Sequence, residues 1–328
     1  MARKITNRQT QRIAKHQAAR VEQQAQDDNL DTQSLQQEKG LVVTHYGDRA
    51  EIQSESGKIY LCQLRQHLGH LVTGDQVIWA PITNDPTQNQ GIVLALIPRR
   101  SELVRLGEHG KKKPVAANID QIFVVAAIEP SHSLDQVDSY LIAGELLKIP
   151  TRLILNKIDL ALQDLKRIEH WTSLYRGLGY SIFEISTKTG EGLPELTNVL
   201  KDCVSIFVGQ SGVGKSSLIQ ALLPHETTIR IAAEGGQHGK HTTSSARLYH
   251  LSCSGYLIDS PGVRDFHLGV LDRDTLFRSF IEFEPYRGQC KFRNCSHEHE
   301  PGCALIAAVE AGNIDPHRLA AFLELVGK

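Results

Sequence analysis

The stretch Gly209-Gln210-Ser211-Gly212-Val213-Gly214-Lys215-Ser216-Ser217 follows the pattern G-x4-G-K-[ST]. An apolar run, 204–208, reads as the strand entering it, and 217–223 as the helix leaving it. That strand–loop–helix context turns the pattern into a phosphate-binding loop. The glycines let the backbone curl with its N–H groups pointing inward, and the helix N-terminus adds its dipole to the same anion site. Lys215 supplies a point charge for the β- and γ-phosphates, and the Ser216 hydroxyl is a ligand for Mg²⁺. A chain with this feature is committed to an α/β sheet with helices on its faces.

The residues before the loop agree. Segments 121–127, 152–155 and 180–185 read as buried strands, and 136–147, 162–177 and 193–200 as helices. Alternation of this kind predicts a parallel sheet with its sites at the strand C-terminal ends. Two of those ends carry chemistry. Asn156-Lys157-Ile158-Asp159 is N-K-x-D, in which the Asp159 carboxylate can accept from guanine N1–H and the 2-amino group together. Adenine would leave that carboxylate unpaired, and sites built this way discriminate by about 10⁴ or more. Ser186-Thr187-Lys188 fits a loop that aims a backbone N–H at guanine O6. After the phosphate loop, Asp259-x-x-Gly262 fits the turn whose carboxylate holds Mg²⁺ and whose glycine N–H meets the γ-phosphate. Thr242 or Thr243 fits the loop threonine that completes Mg²⁺ coordination, Ser216 and Thr243 being the expected pair of hydroxyl ligands. Together these predict a site for GTP and GDP with Mg²⁺. The guanine segments come before the phosphate loop, the reverse of the usual order, which a circular permutation explains. The chain then leaves the nucleotide domain just after the γ-phosphate-sensing turn, so the C-terminal segment is coupled to that switch.

That C-terminal segment carries Cys290-x4-Cys295-x-His297-x5-Cys303. Three thiolates and one imidazole form a closed set suited to one structural zinc, with His299 a competing ligand. Segments 304–311 and 317–326 read as two short helices. At the other end, 41–100 alternates apolar and polar residues in five short runs separated by turn residues, the pattern of a small barrel of the OB type, which an SH3-like barrel shares. Residues 99–113 carry Arg99, Arg100, Arg105 and Lys111 to Lys113 and read as a solvated linker or an RNA-contacting loop. Residues 1–40 are polar, with a basic start, and read as a disordered tail or an arm that orders on RNA phosphates.

Composition narrows the class. The 328 residues are 41% apolar and 22% charged with a net charge of −1, so any nucleic-acid contact has to come from local patches. No apolar run approaches membrane-spanning length and the start lacks a signal-peptide core, so the expectation is a cytoplasmic protein with no membrane partner. Three of the six cysteines crowd into the metal motif, which argues for metal over disulfides.

The order N-K-I-D, S-T-K-T-G, G-Q-S-G-V-G-K-S-S-L, H-T-T, D-S-P-G-V and C-x4-C-x-H-x5-C behind a small barrel resembles the RsgA family, circularly permuted GTPases of bacteria that depend on the small ribosomal subunit. The resemblance spans about residues 40–310. It implies a multidomain chain: a basic extension over 1–40, an OB-type barrel over 41–105, a permuted GTPase domain over 106–272 and a zinc-binding helical domain over 273–328. It implies a monomeric GTP hydrolase in late small-subunit maturation, with the subunit and its rRNA as partners and hydrolysis stimulated by the subunit. Val263 stands where other GTPases carry the glutamine that orients the attacking water, and valine cannot do that. By resemblance His241, in Gly239-Lys-His-Thr-Thr243, takes the role, with His238 a second candidate. The competing reading is an RNA-binding adaptor gated by nucleotide, with hydrolysis incidental.

Overall fold

The computed structural model describes residues 36–65, 68–82, 89–106, 112–129, 136–223, 246–259 and 272–326. The chain divides after Arg99 into two compact units.

The first unit is a five-stranded barrel. Strands β1 (Glu38–His45), β2 (Arg49–Ser54) and β3 (Ile59–Leu64) run as an antiparallel meander. Strands β4 (Gln76–Pro81) and β5 (Gln90–Leu96) form a hairpin. A parallel β3–β5 pairing and an antiparallel β1–β4 pairing close the ring in the OB-like manner. Register shifts at Val42/Thr44 and Ile78/Trp79 supply the bends that closure needs. Trp79, 1% exposed, fills the interior, and two glycines make room for it. A Cβ on Gly40 would meet its ring at 2.7 Å, and one on Gly91 at 2.8 Å. Asp75, wholly buried, takes a backbone N–H from Val72 at 2.7 Å and both arms of Arg99 at 2.7 and 2.9 Å. The end of β5 is thereby tied to the start of β4.

In the second unit the segment read as a solvated linker or an RNA-contacting loop forms part of an antiparallel hairpin. Strands β6 (Glu102–Leu106) and β7 (Lys112–Ala117) pair with each other, because Leu103, Ala116 and Ala117 are buried. Arg99 is spent on Asp75, and Arg100 bonds Asp120 at 2.9 Å.

The main sheet of this unit holds β8 (Gln121–Ala127), β9 (Thr151–Asn156), β10 (Ile182–Ile185), β11 (Val204–Val208), β12 (Arg247–His250) and β13 (Tyr256–Asp259) in the order β10-β9-β8-β11-β13-β12. All neighbours are parallel except β12, which pairs antiparallel with β13. Helices α1 (Val137–Leu147), α2 (Leu165–Gly177), α3 (Leu193–Leu200) and α4 (Lys215–Leu222) connect the strands. All seven residues of β8 are buried, as its unbroken apolar run requires. The chain builds outward from β8 through β9 to β10, then returns to lay β11 on the other side. The crevice at that reversal, beyond the carboxyl ends of β8 and β11, is where such sheets bind ligands.

Among the described residues after β13 there are four short helical segments: α5 (Arg273–Ser279), a 3₁₀ segment (Ile281–Tyr286), α6 (Ala304–Glu310) and α7 (Pro316–Val326). The Asp272 side chain caps α5 by accepting from Thr275 N–H at 2.9 Å. Phe277, Phe280, Phe283 and Phe322 cluster here with Leu305 and Ile314, and Ile142 of α1 joins them. A buried ion group lies beside this core. Arg318 on α7, 1% exposed, bonds Asp138 on α1 at 2.5 Å and Glu282 at 2.5 and 3.1 Å. Tyr175 of α2 donates to the same Asp138 at 2.6 Å. Among the described residues no helix is long and apolar enough to cross a membrane.

Candidate functional site

The phosphate loop sits between β11 and α4. Its glycines are set by neighbouring groups. Gly209 has φ +137°, and a Cβ there would lie 2.3 Å from the Val125 carbonyl of β8. Gly214 has φ +94°, and a Cβ there would lie 2.3 Å from the Asn156 side-chain nitrogen. Both positions therefore exclude larger residues on two grounds, conformation and space. Val213 is buried, while Ser211 and Gly212 are exposed at the loop's crest. Lys215 Nζ folds back onto the carbonyls of Gly209 at 2.6 Å and Gln210 at 2.5 Å. Ser216 and Ser217 follow on the first turn of α4. The Gln210 side chain donates to Gln136 at the entry of α1.

Asn156, at the end of β9, is fully buried and donates from Nδ2 to the Val213 carbonyl at 2.9 Å. Its Oδ1 is buried with no hydrogen-bond partner. Lys157 takes the left-handed conformation at φ 63°, and its Nζ reaches the carbonyls of Gly212 at 2.8 Å and Glu129 at 2.6 Å. These two residues clamp the guanine-type segment onto the phosphate loop. Asp159 then opens a 3₁₀ turn (Ile158–Gln163), its side chain 18% exposed. Ser186, at the end of the adjacent β10, donates to Asp159 Oδ1 at 2.8 Å and accepts from Thr189 N–H at 3.2 Å. Lys188 reaches Asp159 Oδ2 at 3.9 Å, and Thr187 between them in sequence is half-buried. One carboxylate oxygen is thus fixed by a hydroxyl, which sets the plane in which the group can accept from a flat ligand. Asp259 closes β13, two strands from β8 across β11. Gly262, Val263, His238, His241, Thr242 and Thr243, with the rest of 224–245 and 260–271, lie outside the described residues, as do residues 1–35. Sequence reasoning does not single out Gln136 or Glu129; neither belongs to a recognisable pattern, since each matters only by touching the site in space.

The second cluster is the cysteine motif. The ligating atoms of Cys290, Cys295, His297 and Cys303 all lie within 4.8 Å of one another. His297 Nδ1 is 3.3 Å from Cys303 Sγ and 3.6 Å from Cys290 Sγ. Tetrahedral zinc, with Zn–S of about 2.3 Å and Zn–N of about 2.0–2.1 Å, has S···N edges of about 3.5 Å, so the donor set and its spacing fit that ion. Burial, together with nearby Arg273, holds the His297 imidazole below its usual range and so neutral, the form that ligates. Burial pushes the Cys295 thiol up to about 12. A bound metal has to displace that proton. His299 points to solvent, 85% exposed, beside Glu298, outside the set. Glu300 accepts Ser296 N–H at 2.5 Å, which holds the turn between the ligands and drops the Glu300 carboxyl to about 2.

A phosphate loop whose N-K-x-D and Ser-Thr-Lys partners precede it in sequence but share its parallel sheet belongs to the circularly permuted P-loop GTPases. The family model described as RsgA GTPase matches residues 96–269. The small ribosomal subunit biogenesis GTPase RsgA of Ectopseudomonas mendocina is 42% identical, over 99% of this chain and 97% of that protein. The Pseudomonas aeruginosa protein of the same name is also 42% identical, over 99% and 97%. The crystal structure of YjeQ from Thermotoga maritima matches with a TM-score of 0.69 at 30% identity, covering 89% of this chain and all of that one. YloQ, a circularly permuted GTPase, shares the fold with a TM-score of 0.66 at 23% identity, over 89% and 94%. The chain belongs to the RsgA GTPase family and is a GTP hydrolase.

Proposed function

We propose that this GTPase acts in maturation of the small ribosomal subunit, as a cytoplasmic monomer that binds the subunit and its rRNA and is stimulated by it to hydrolyse GTP. The observation that carries the nucleotide assignment is the clamp of Asn156 and Lys157 on Val213 and Gly212, which ties the segment bearing Asp159 to the phosphate loop. The relatives' name, over nearly their full length, supports the ribosomal role. In this reading residues 209–217 cradle the phosphates with backbone N–H groups and Lys215, which exchanges its carbonyl contacts for phosphate oxygens. Asp159 accepts from the guanine edge, and Ser186, Thr187 and Lys188 frame its O6. The Asn156 amide holds the two loops together. Ser216 and Thr243, with Asp259, would hold Mg²⁺, whose charge neutralises the β,γ-bridge; a hydroxyl and carboxylate set suits that hard cation. Gly262 faces the γ-phosphate. His241 positions the water that attacks the γ-phosphorus as the bond to the β-phosphate oxygen breaks, giving GDP and phosphate.

The chain works as three parts, the barrel, the nucleotide domain and the zinc module, after an extension over 1–40. The Cys290, Cys295, His297 and Cys303 set holds one structural zinc; four protein ligands leave no position for a substrate. In this proposal the GTP state orders 233–245 and the segment after Gly262 and so positions the barrel and zinc module on rRNA, and hydrolysis releases them.

The test is phosphate release from GTP by the chain alone and with purified small subunits, large subunits or bare rRNA. Strong stimulation by small subunits only is expected, with His241→Ala keeping GTP affinity but losing the stimulated rate. No stimulation by any of them would sink the ribosomal reading and leave the nucleotide-gated adaptor.

A further inference from the structure

A cleft of about 370 Å³ opens on the cysteine motif, lined by aromatic rings and arginines and by Cys290, Cys295 and His297. Its size falls within the about 300–1,000 Å³ of small-ligand sites. Phe277 and Tyr286 line it, and Phe292, 42% exposed, presents its ring to solvent there. Phe292 belongs to Lys291-Phe292-Arg293-Asn294, the four residues between Cys290 and Cys295. Ligation at both ends would pin that loop, so an exposed ring is presented at low entropic cost. Lys291 Nζ lies 5.5 Å from its ring centre.

The charge in the cleft is one-sided. Arg273, Arg287 and Arg293 line it, against one carboxylate, Asp274. Asp274 is already engaged by Arg278 at 2.5 Å and Arg287 at 3.2 Å. Arg293 is in no ion pair among the described residues and is exposed. Arg273 Nη2 is buried with no hydrogen-bond partner, an unmet donor in the cleft's lining. A buried guanidinium nitrogen without an acceptor is costly, and an anionic ligand settling nearby would relieve it. Flat rings beside uncommitted arginines match the needs of a nucleotide: a π-face for the base and charge for its phosphate.

We propose that this cleft takes one unstacked nucleotide of single-stranded RNA, its base against Phe292 and Tyr286 and its phosphate on Arg293 and Arg273. The proposal deepens the RNA-partner reading above and gives the metal module a role in RNA contact, with the metal serving to hold the loop rigid.

The test uses the full-length, zinc-loaded protein and a fluorescein-labelled uridylate hexamer carrying 4-thiouridine. Phe292→Ala and Arg293→Ala are each expected to weaken hexamer binding about tenfold, the scale of one lost stacked base or charge-assisted contact. Arg293→Ala should also lower the salt slope by about one. Both variants should keep full zinc content and unstimulated GTP turnover, since neither residue is in the nucleotide site. The photocrosslink is expected within 286–297. Overturning results are wild-type affinity in both variants at full zinc, a crosslink confined to the barrel, or displacement of the hexamer by inorganic phosphate or polyglutamate as readily as by uridine monophosphate. The last would make the cleft a general anion site. A chain that small subunits fail to stimulate but that still crosslinks at 286–297 would lose the ribosomal role and keep the cleft.

Discussion

Replacing Arg318 by methionine should unfold this protein at markedly lower temperature, and the size of the effect comes from the ion group. Arg318 is 1% exposed, and its partners Asp138 and Glu282 are 3% and 11% exposed. The guanidinium makes three bonds of 2.5 to 3.1 Å and lies 4.4 Å over the Phe280 ring. Methionine fills much of the stem's volume, so packing is largely kept. Glu282 loses its counter-charge, and Asp138 is left with His317 at 3.3 Å and the Tyr175 hydroxyl. Removing one member of a buried pair costs about 3–5 kcal/mol. At about 2–4 °C per kcal/mol for a unit of this size, the melting temperature falls by about 6–20 °C. Arg318→Lys should recover little, because a single ammonium cannot reproduce a planar fork that serves two carboxylates at once. The acid limb offers a second readout. Burial pushes the Asp138 carboxyl up, but His317, Arg318 and Tyr175 together outweigh it and hold it below 3.8. A depressed carboxyl contributes stability that is present above its unfolded value and is lost as pH falls through its folded value. Arg318→Met should therefore flatten the loss of stability below about pH 4. Thermal and urea unfolding of the nucleotide-free chain at pH 7 and across pH 3–5 measure both. A loss under about 1 kcal/mol at neutral pH, in the range of an exposed pair, would refute the argument.

Three further outcomes are expected. Asp159→Asn should reverse base preference from guanine to xanthine, a switch of at least about 10² in relative affinity, read by competition binding. Gly214→Ala should weaken GDP binding by about tenfold or more, because φ +94° and the Asn156 amide 2.3 Å away both resist a methyl group; equilibrium titration reads it, and a wild-type constant would contradict the clamp. Chelation of the metal should melt the C-terminal helices first, seen as lost circular dichroism and a lower melting temperature. The same treatment should need less chelator as pH falls, since solvent protons compete with the metal for the Cys295 thiolate, whose thiol sits at about 12.

The phosphate loop is legible in the sequence because its chemistry is local. Gly209, Gly214 and Lys215 stand at fixed short spacing in the one turn between a strand and a helix, although the groups that crowd the two glycines, Val125 and Asn156, come from other strands. The same holds for the metal motif, where 290–303 wraps one point, and for β8, whose seven buried residues announce themselves as one apolar run. The hairpin of β6 and β7 is not legible: its arginines and lysines look like a solvated segment. The burial of Leu103, Ala116 and Ala117 becomes apparent only once the strands pair. Helix α5 escapes notice because its seven residues, with Arg273, Asp274 and Arg278 near its ends, show too little apolar periodicity.

The sequence by itself determined the GTPase motifs, their permuted order and a Cys/His set that could hold a metal, since each depends on residue type at short spacing. The tertiary structure alone decided which partners those residues have. Nothing in the chain's order joins Asn156 to Val213, 57 positions away, or Asp138 to Arg318, 180 positions away. The first pair exists because a parallel sheet stacks distant strand ends side by side, the second because a C-terminal helix packs back on the helix that leaves β8. Buried polar groups then have no water to turn to and must find each other.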